Sequence, residues 1–124
     1  MFLPLQYGAI AALSGELSCV AEQKKLYEER RDVFCQSLRD IGWNVSDSQG
    51  TMFVWAPIPD SFESSKEFCL ELMERAGIVC TPGEAFGSMG KRYVRFALVF
   101  EPEKLREAAK IIGKCGILGG KNEN

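Results

Sequence analysis

Residues 76–98 read AGIVCTPGEAFGSMGKRYVRFAL, a run that holds a helix end, a glycine-rich loop and a strand. Gly77 ends the helix, because glycine adopts the left-handed conformation that commonly follows a last helical turn. The apolar residues 78–80 predict a short buried strand, and residues 81–91 predict a loop. Residues 93–100 are the clearest strand of the chain. This order predicts helices packed against a sheet.

Two helices are predicted upstream of this run. Residues 8–13 form a short apolar helix with Pro4 near its first turn, where the missing N–H would be unpaired in any case. A long helix is predicted over residues 17–41, because apolar and aromatic side chains recur there at steps of three and four residues. Gly42 ends this helix.

The segment between the long helix and the next one is predicted to be β. Residues 43–45 are a candidate short strand, and residues 51–56 form a strand that Pro57 ends. Strand alternation separates the second segment into two faces, with Met52, Val54 and Ala56 on one and Thr51, Phe53 and Trp55 on the other.

Two further helices complete the pattern. One begins at the capping box Ser64-x-x-Glu67, and the last opens at Pro102. The order α-α-β-β-α-β-β-α predicts an α+β fold of two layers, in which a small, mostly antiparallel sheet has helices on one face and a long helix precedes it. Residues 15–115 are expected to form this domain, and residues 116–124 a flexible tail.

Composition excludes several classes of function. A chain of 124 residues forms one domain with a core of its own. With a net charge of −2, the chain lacks the excess of basic residues that is typical of a nucleic-acid-binding protein. The longest apolar runs, such as residues 9–13, are far shorter than the roughly 20 residues that cross a bilayer. No signal peptide is visible. We expect neither nucleic acid nor a membrane as a partner.

Cysteine and histidine usage limits the chemistry further. The five cysteines contain no C-x-x-C pair, which predicts reduced thiols in a cytoplasmic protein rather than a disulfide framework or a zinc site. The chain has no histidine, so nucleophiles activated by histidine are excluded. We expect no metal site.

Arg95 is the most informative single residue. It lies within an apolar strand whose two faces are both mostly apolar, so we expect both to be covered. An arginine keeps its charge and presents a rigid fork of donors, so a buried one needs an anionic partner, and a carboxylate fits the fork best. Two interpretations stay open: a half-exposed arginine paired with one of the chain's acidic residues, or a clamp for a ligand's carboxylate.

The loop 82–87 permits close backbone approach through its glycines. A phosphate cradle would require the loop to run into a helix, whereas this loop runs into a strand. A turn-rich connector is therefore the favoured interpretation. Glu84 is a candidate acid or base, although a lone loop glutamate is more often solvated.

Three motifs occur in order along the chain: Gly50-Thr51-Met52-Phe53, then Ala76 to Gly87 with its Pro-Gly-Glu-Ala-Phe-Gly loop, then Tyr93 to Leu98. Together they resemble the C-terminal small domain of class I/II aminotransferases of fold type I, the aspartate aminotransferase type. The order and spacing match over residues 50–112. The run Tyr27-x-x-Arg30-Arg31-Asp32 is also similar to one in the family's long helix.

This resemblance implies part of a pyridoxal-phosphate-dependent enzyme that transfers an amino group between an amino acid and a 2-oxo acid. It makes Arg95 the clamp for the substrate α-carboxylate, places Phe53 in the pocket wall, and places Phe86 and Gly87 at the pocket rim. Nothing here resembles the family's Schiff-base lysine loop or its phosphate site. We therefore expect no catalytic or cofactor-binding residue in this chain, and no activity from the chain alone.

The resemblance also implies partners. Residues 1–14 would pack as a helix on the large domain of the same polypeptide, and the parent enzyme would be a homodimer. Two other classes of function stay open: a free-standing regulatory α/β module in which Arg95 grips an amino acid, and a bare interaction domain.

Overall fold

The computed structural model describes residues 2–119. The helices and strands of this part of the chain are α1 Leu3–Ser14, α2 Ser18–Asp40, β1 Phe53–Pro57, α3 Ser65–Ala76, β2 Thr81–Pro82, β3 Tyr93–Ala97 and α4 Pro102–Lys114. Short 3-10 turns cover Gly83–Phe86, Ser88–Arg92 and Ile117–Gly119. The helices α1 to α4 are those that the sequence predicts.

The described strands form one antiparallel sheet in the order β1-β3-β2. Arg95 lies on the central strand, opposite Trp55 of β1 and Thr81 of β2. The predicted α+β class, with a small antiparallel sheet and helices on one face, is confirmed.

The core lies between one face of this sheet and the helices. Val54 and Ala56 of β1 and Val94 and Phe96 of β3 are buried there, as alternation predicts for β1. The helices supply much of the rest of the core, and buried loop residues such as Phe62 and Leu98 complete it. The helical core residues are Phe34, Cys35, Leu38, Phe68, Leu72, Leu105, Ala109 and Ile112. Met73 of α3 lies outside this core and is 45% exposed.

The opposite sheet face is open, and here the sequence expectation is wrong. Tyr93 and Trp55 are exposed and Arg95 is half-buried, because no helix of the described chain packs on that side. Apolar residues on both faces of β3 indicated burial on both faces. An apolar side chain shows a tendency to be covered, but it does not show which part of a protein covers it.

Two predicted short strands are not strands. Residues 43–45 are irregular, although Trp43 is buried and its Nε1 donates to the Pro57 carbonyl at 2.7 Å. Residues 78–80 are irregular too, with Val79 77% exposed, and pairing to β3 begins only at Thr81. Brief apolar runs do not separate a strand from a buried loop, since the hydrogen-bonded partner is remote in sequence.

The helix ends follow local signals. The Ser64 side chain accepts the Glu67 N–H at 3.2 Å, as the capping box predicts. The Glu67 carboxylate accepts the N–H of Glu63, one residue before the position that the motif usually serves. Gly77 caps α3 in the left-handed conformation.

The two ends of the described chain differ in packing. No residue of α1 is buried, and the first turns of α2, including Leu17 and Val20, are also exposed. At the other end, Ile117 is fully buried, so packing extends past residue 116, where the sequence predicts a tail to begin. The rest of that predicted tail, residues 120–124, lies outside the described residues. Within residues 2–119, no helix has the length and apolar composition of a membrane span.

Candidate functional site

Arg95 sits between two aromatic rings on the open sheet face. Its guanidinium carbon lies 4.1 Å from the centroid of the Phe53 ring and 4.5 Å from that of the Phe86 ring. Phe53 reaches it from β1, and Phe86 reaches it from the 3-10 turn Gly83–Phe86. The structure thus brings together three of the four site residues predicted from the sequence. Cation–π attraction to two ring faces holds the guanidinium in place.

Arg95 has no carboxylate partner among residues 2–119. The chain has seven arginines, and the other six each pair with an acidic side chain. The Arg95 side chain also donates no hydrogen bond to another described residue. The guanidinium therefore presents its fork of N–H donors unpaired on the open face. An internal ion pair, which the sequence left open for Arg95, is not made by this part of the chain.

Trp55 and Tyr93 complete an aromatic surface at this site, and neither residue was predicted from the sequence to belong to it. Their rings stack with centroids 5.5 Å apart and an interplanar angle of 17°. Trp55 also meets Phe86 at 6.1 Å in an edge-to-face arrangement. The alternation of β1 had placed Trp55 on the face of Phe53, and that was the available signal. The large apolar ring of Trp55, taken alone, favours a position in the core instead.

The loop that carries Phe86 is held by close backbone contacts. A Cβ atom on Gly83 would lie 2.8 Å from the Trp55 ring and would overlap the Gly90 carbonyl, so only glycine fits there. The Glu84 N–H donates to Ser65 Oγ of α3 at 3.2 Å. These contacts fix the turn that aims Phe86 at Arg95.

Gly87 ends this turn with φ 128°, a conformation that residues with side chains rarely adopt. Its N–H donates to the Glu84 carbonyl at 3.1 Å, and the Gly90 N–H donates to the Gly87 carbonyl at 3.0 Å. The loop uses these N–H groups internally, which supports the connector interpretation over a phosphate cradle. Gly87 affects the site by setting the backbone conformation next to Phe86.

The described lysines and acidic residues offer no second site for chemistry. All seven lysines within residues 2–119 are solvent-exposed, so none lies in an enclosed pocket. No group of three or more Cys, Asp or Glu side chains in this part of the chain could hold a metal ion.

The site is an open surface rather than an enclosed pocket. Hollows of about 780 and 550 Å³ lie elsewhere, one between α2 and α4 and the other beside Tyr27 and Thr51. Neither includes Arg95. A planar anion can therefore bind to Arg95 from one side. The other side of the site is left open for another domain or molecule to cover.

A family model described as "Aminotransferase class I and II" matches residues 2–112. Among curated proteins, the transaminase BacF of Bacillus subtilis is 44% identical over 120 residues, covering 94% of this chain and 30% of BacF. The LL-diaminopimelate aminotransferase of Moorella thermoacetica is 36% identical over 117 residues, covering 91% of this chain and 30% of that enzyme.

Solved structures agree with this match. The apo structure of B. subtilis BacF superposes with a TM-score of 0.86 at 43% identity, covering 98% of this chain and 31% of that one. The chain thus spans about 30% of the length of the relatives that it matches.

Proposed function

Because the chain belongs to the class I and II aminotransferase family, we propose that it forms the C-terminal small domain of a pyridoxal-phosphate-dependent aminotransferase of the aspartate aminotransferase type. The complete enzyme would transfer an amino group between an amino acid and a 2-oxo acid. The names of the relatives support this assignment. They disfavour the free-standing regulatory module and the bare interaction domain.

The role proposed for Arg95 is to bind the substrate α-carboxylate through two parallel hydrogen bonds. The observation that carries it is the unpaired guanidinium between Phe53 and Phe86. An amino acid and a 2-oxo acid share the carboxylate and differ at the neighbouring carbon. A guanidinium, which does not lose its proton, binds that shared group in both half-reactions. One residue can therefore position both substrates in the same place.

The aromatic neighbours would prepare Arg95 for this task. Phe53 and Phe86 restrict the guanidinium to one plane before the substrate arrives, which lowers the entropy lost on binding. Their rings also displace water from the faces of the guanidinium, so its hydrogen bonds to a carboxylate form in a less polar environment. Gly87 would form the pocket rim beside Phe86, and Trp55 would support that rim.

The cofactor would be held by the large domain. Class I and II aminotransferases use pyridoxal phosphate, which is bound through a lysine amine and a phosphate site. The described part of this chain does not fit that group, because its lysines are exposed and the N–H groups of its glycine-rich loop are used internally. We derive for these residues a role in substrate binding and none in the chemical steps.

The exposed α1 would be covered by the same large domain. Its apolar side chains, among them Leu3, Leu5, Ile10 and Leu13, are each more than half exposed, and such a surface is normally buried by a partner. We propose that residues 1–14 pack on the large domain and residues 15–115 form the small domain. The complete enzyme would be a cytoplasmic homodimer.

The test is Arg95→Lys in the complete enzyme, with Arg106→Lys as the matched control on the exposed face of α4. Lysine keeps the charge but loses the fork, at a cost of about 1.5–3 kcal/mol, or roughly ten- to a hundredfold in kcat/KM. The cofactor spectrum should not change. An unaltered kcat/KM for every amino acid tried would refute the carboxylate role.

A further inference from the structure

Cys69 and Cys80 lie side by side. Their Sγ atoms are 3.3 Å apart, and both residues are half-buried. Cys69 belongs to α3, and Cys80 comes directly before β2. The chain turns back after Gly77, which brings the two residues together across only eleven positions. The other three cysteines have different surroundings: Cys19 is exposed, Cys35 is buried, and Cys115 donates to the Ile112 carbonyl.

This pair is next to the loop that carries Phe86. Ser65 and Cys69 are one helical turn apart on α3, so they present the same face. Ser65 meets the N–H of Glu84, and Cys69 meets Cys80. Their partners Cys80 and Glu84 are likewise four residues apart in the facing segment. Two contacts thus join α3 to the base of the loop.

The two thiols are not equivalent. The thiol of Cys80 donating to Cys69 holds the pKa of Cys69 below its usual value, against the opposing effects of burial and of the Glu84 carboxylate. The same hydrogen bond and burial raise the pKa of Cys80. Because the thiolate is the nucleophilic form, Cys69 is the sulfur that reacts first.

We propose that Cys69 and Cys80 are an oxidative modification site, at which hydrogen peroxide converts the two thiols into a disulfide that ties α3 to the base of the Phe86 loop. The inference does not depend on the role of Arg95. Closing the bond requires the sulfur atoms to approach from 3.3 Å to the usual disulfide length of about 2.05 Å.

The reaction balances in two steps. The Cys69 thiolate attacks one peroxide oxygen, so that an S–O bond forms and the O–O bond breaks. The leaving hydroxide takes up the proton that Cys69 released and becomes water. The Cys80 sulfur then attacks the Cys69 sulfur, forming the S–S bond and breaking the S–O bond. A second water leaves with the Cys80 proton. Two thiols are oxidised, and one peroxide is reduced to two waters.

The experiment uses the full chain carrying Cys19→Ser, which removes the exposed thiol that could link two molecules. One equivalent of hydrogen peroxide is added, free thiols are then blocked with iodoacetamide in denaturant so that buried thiols are reached, and peptides are mapped without reduction. We expect one linked peptide pair, containing Cys69 and Cys80, and alkylated Cys35 and Cys115. Full alkylation of Cys69 and Cys80, or links through other cysteines, would overturn the proposal.

Single variants test the order of events. With Cys80→Ser, dimedone should trap a sulfenic acid at Cys69. With Cys69→Ser, burial still raises the pKa of Cys80, so Cys80 should react more slowly than Cys69 does in the other variant. Cys115→Ser is the matched control and should leave the linked peptide unchanged. Faster reaction at Cys80 would contradict the assigned order.

The structural consequence has its own measurement. Hydrogen exchange of the amides of residues 80–87 should slow after oxidation and return to its original rate after reduction with a thiol. The exchange of α4 serves as the internal reference. Equal exchange of residues 80–87 in the two states would show that the disulfide does not restrain the loop.

Discussion

Replacing Phe86 by leucine in the complete enzyme should weaken substrate binding without removing the Arg95 charge that is proposed to bind the carboxylate. Leucine keeps an apolar side chain but removes the ring face that lies 4.5 Å from the Arg95 guanidinium. A cation–π contact contributes about 0.5–1 kcal/mol at exposed sites and about 2 kcal/mol when desolvated. Phe86 is 56% exposed in this chain, and a closed substrate site would cover it further. These limits correspond to a roughly 2- to 30-fold increase in KM.

The change should act on KM more than on kcat, because the proposed role of the ring is to orient Arg95 equally in the substrate complex and in the transition state. Steady-state rates with several amino acids, and with their 2-oxo acids in the reverse direction, give both constants. Phe100→Leu is the matched control. Phe100 is 55% exposed, and its ring faces the Lys104 Nζ at 5.7 Å, outside the site. It should leave the kinetics unchanged.

A double-mutant cycle decides whether Phe86 acts through Arg95. If it does, combining Phe86→Leu with Arg95→Lys should raise KM by less than the product of the two single effects. If the free-energy effects of the two changes on KM are fully additive, Phe86 does not act through Arg95. It then either contacts the substrate directly or does not contact it at all. An unchanged KM in Phe86→Leu, or an equal increase in Phe100→Leu, would refute the reasoning from ring geometry.

Three further predictions concern the isolated chain. Borohydride reduction with pyridoxal phosphate, followed by peptide mapping, should label its lysines weakly and without preference, because all the described ones are exposed; stoichiometric labelling of one lysine would contradict this. Light scattering and hydrogen exchange should show that the full chain self-associates through residues 2–13 or leaves them mobile. A chain that starts at Ser14 should stay monomeric and folded. Unfolding of that shorter chain would place the domain boundary elsewhere. Between about pH 9 and 11 the free energy of unfolding should fall by about 2–3 kcal/mol, since burial raises the pKa of Cys35 from 9.0 to about 11 and the unfolded chain loses that proton first. Urea titrations should find a smaller fall in stability over this pH range in Cys35→Ala.

Much of the fold could be predicted from the sequence because the signals were local. The Ser64 cap, the Gly77 stop and the proline that opens α4 act within a few residues of themselves. The alternation of β1 is equally local, and it placed Phe53 and Trp55 on one face correctly. The short strands were harder to predict. Whether residues 43–45 or Thr81 pair with a neighbour depends on a strand that is remote in the chain.

The sequence also pointed to candidate site residues, since a charged residue within an apolar strand is conspicuous in any sequence and the surrounding motifs resembled a known family. Their environment was not predictable in the same way. Arg95 is 42 residues from Phe53 in the sequence, and the sequence does not show which of the seven arginines meet a carboxylate. The fold gives each of those six a carboxylate and gives Arg95 two aromatic rings.

Sequence by itself determined which segments form helices, which residues alternate along the strands and which family the chain resembles, because backbone propensity, capping and side-chain periodicity act over a few residues. Tertiary packing determined which sheet face is open, which arginine has no carboxylate partner among residues 2–119, and that Cys69 meets Cys80. These facts depend on how remote segments approach one another. The free energy of each such approach comes from the burial of the whole core rather than from any short stretch of the chain.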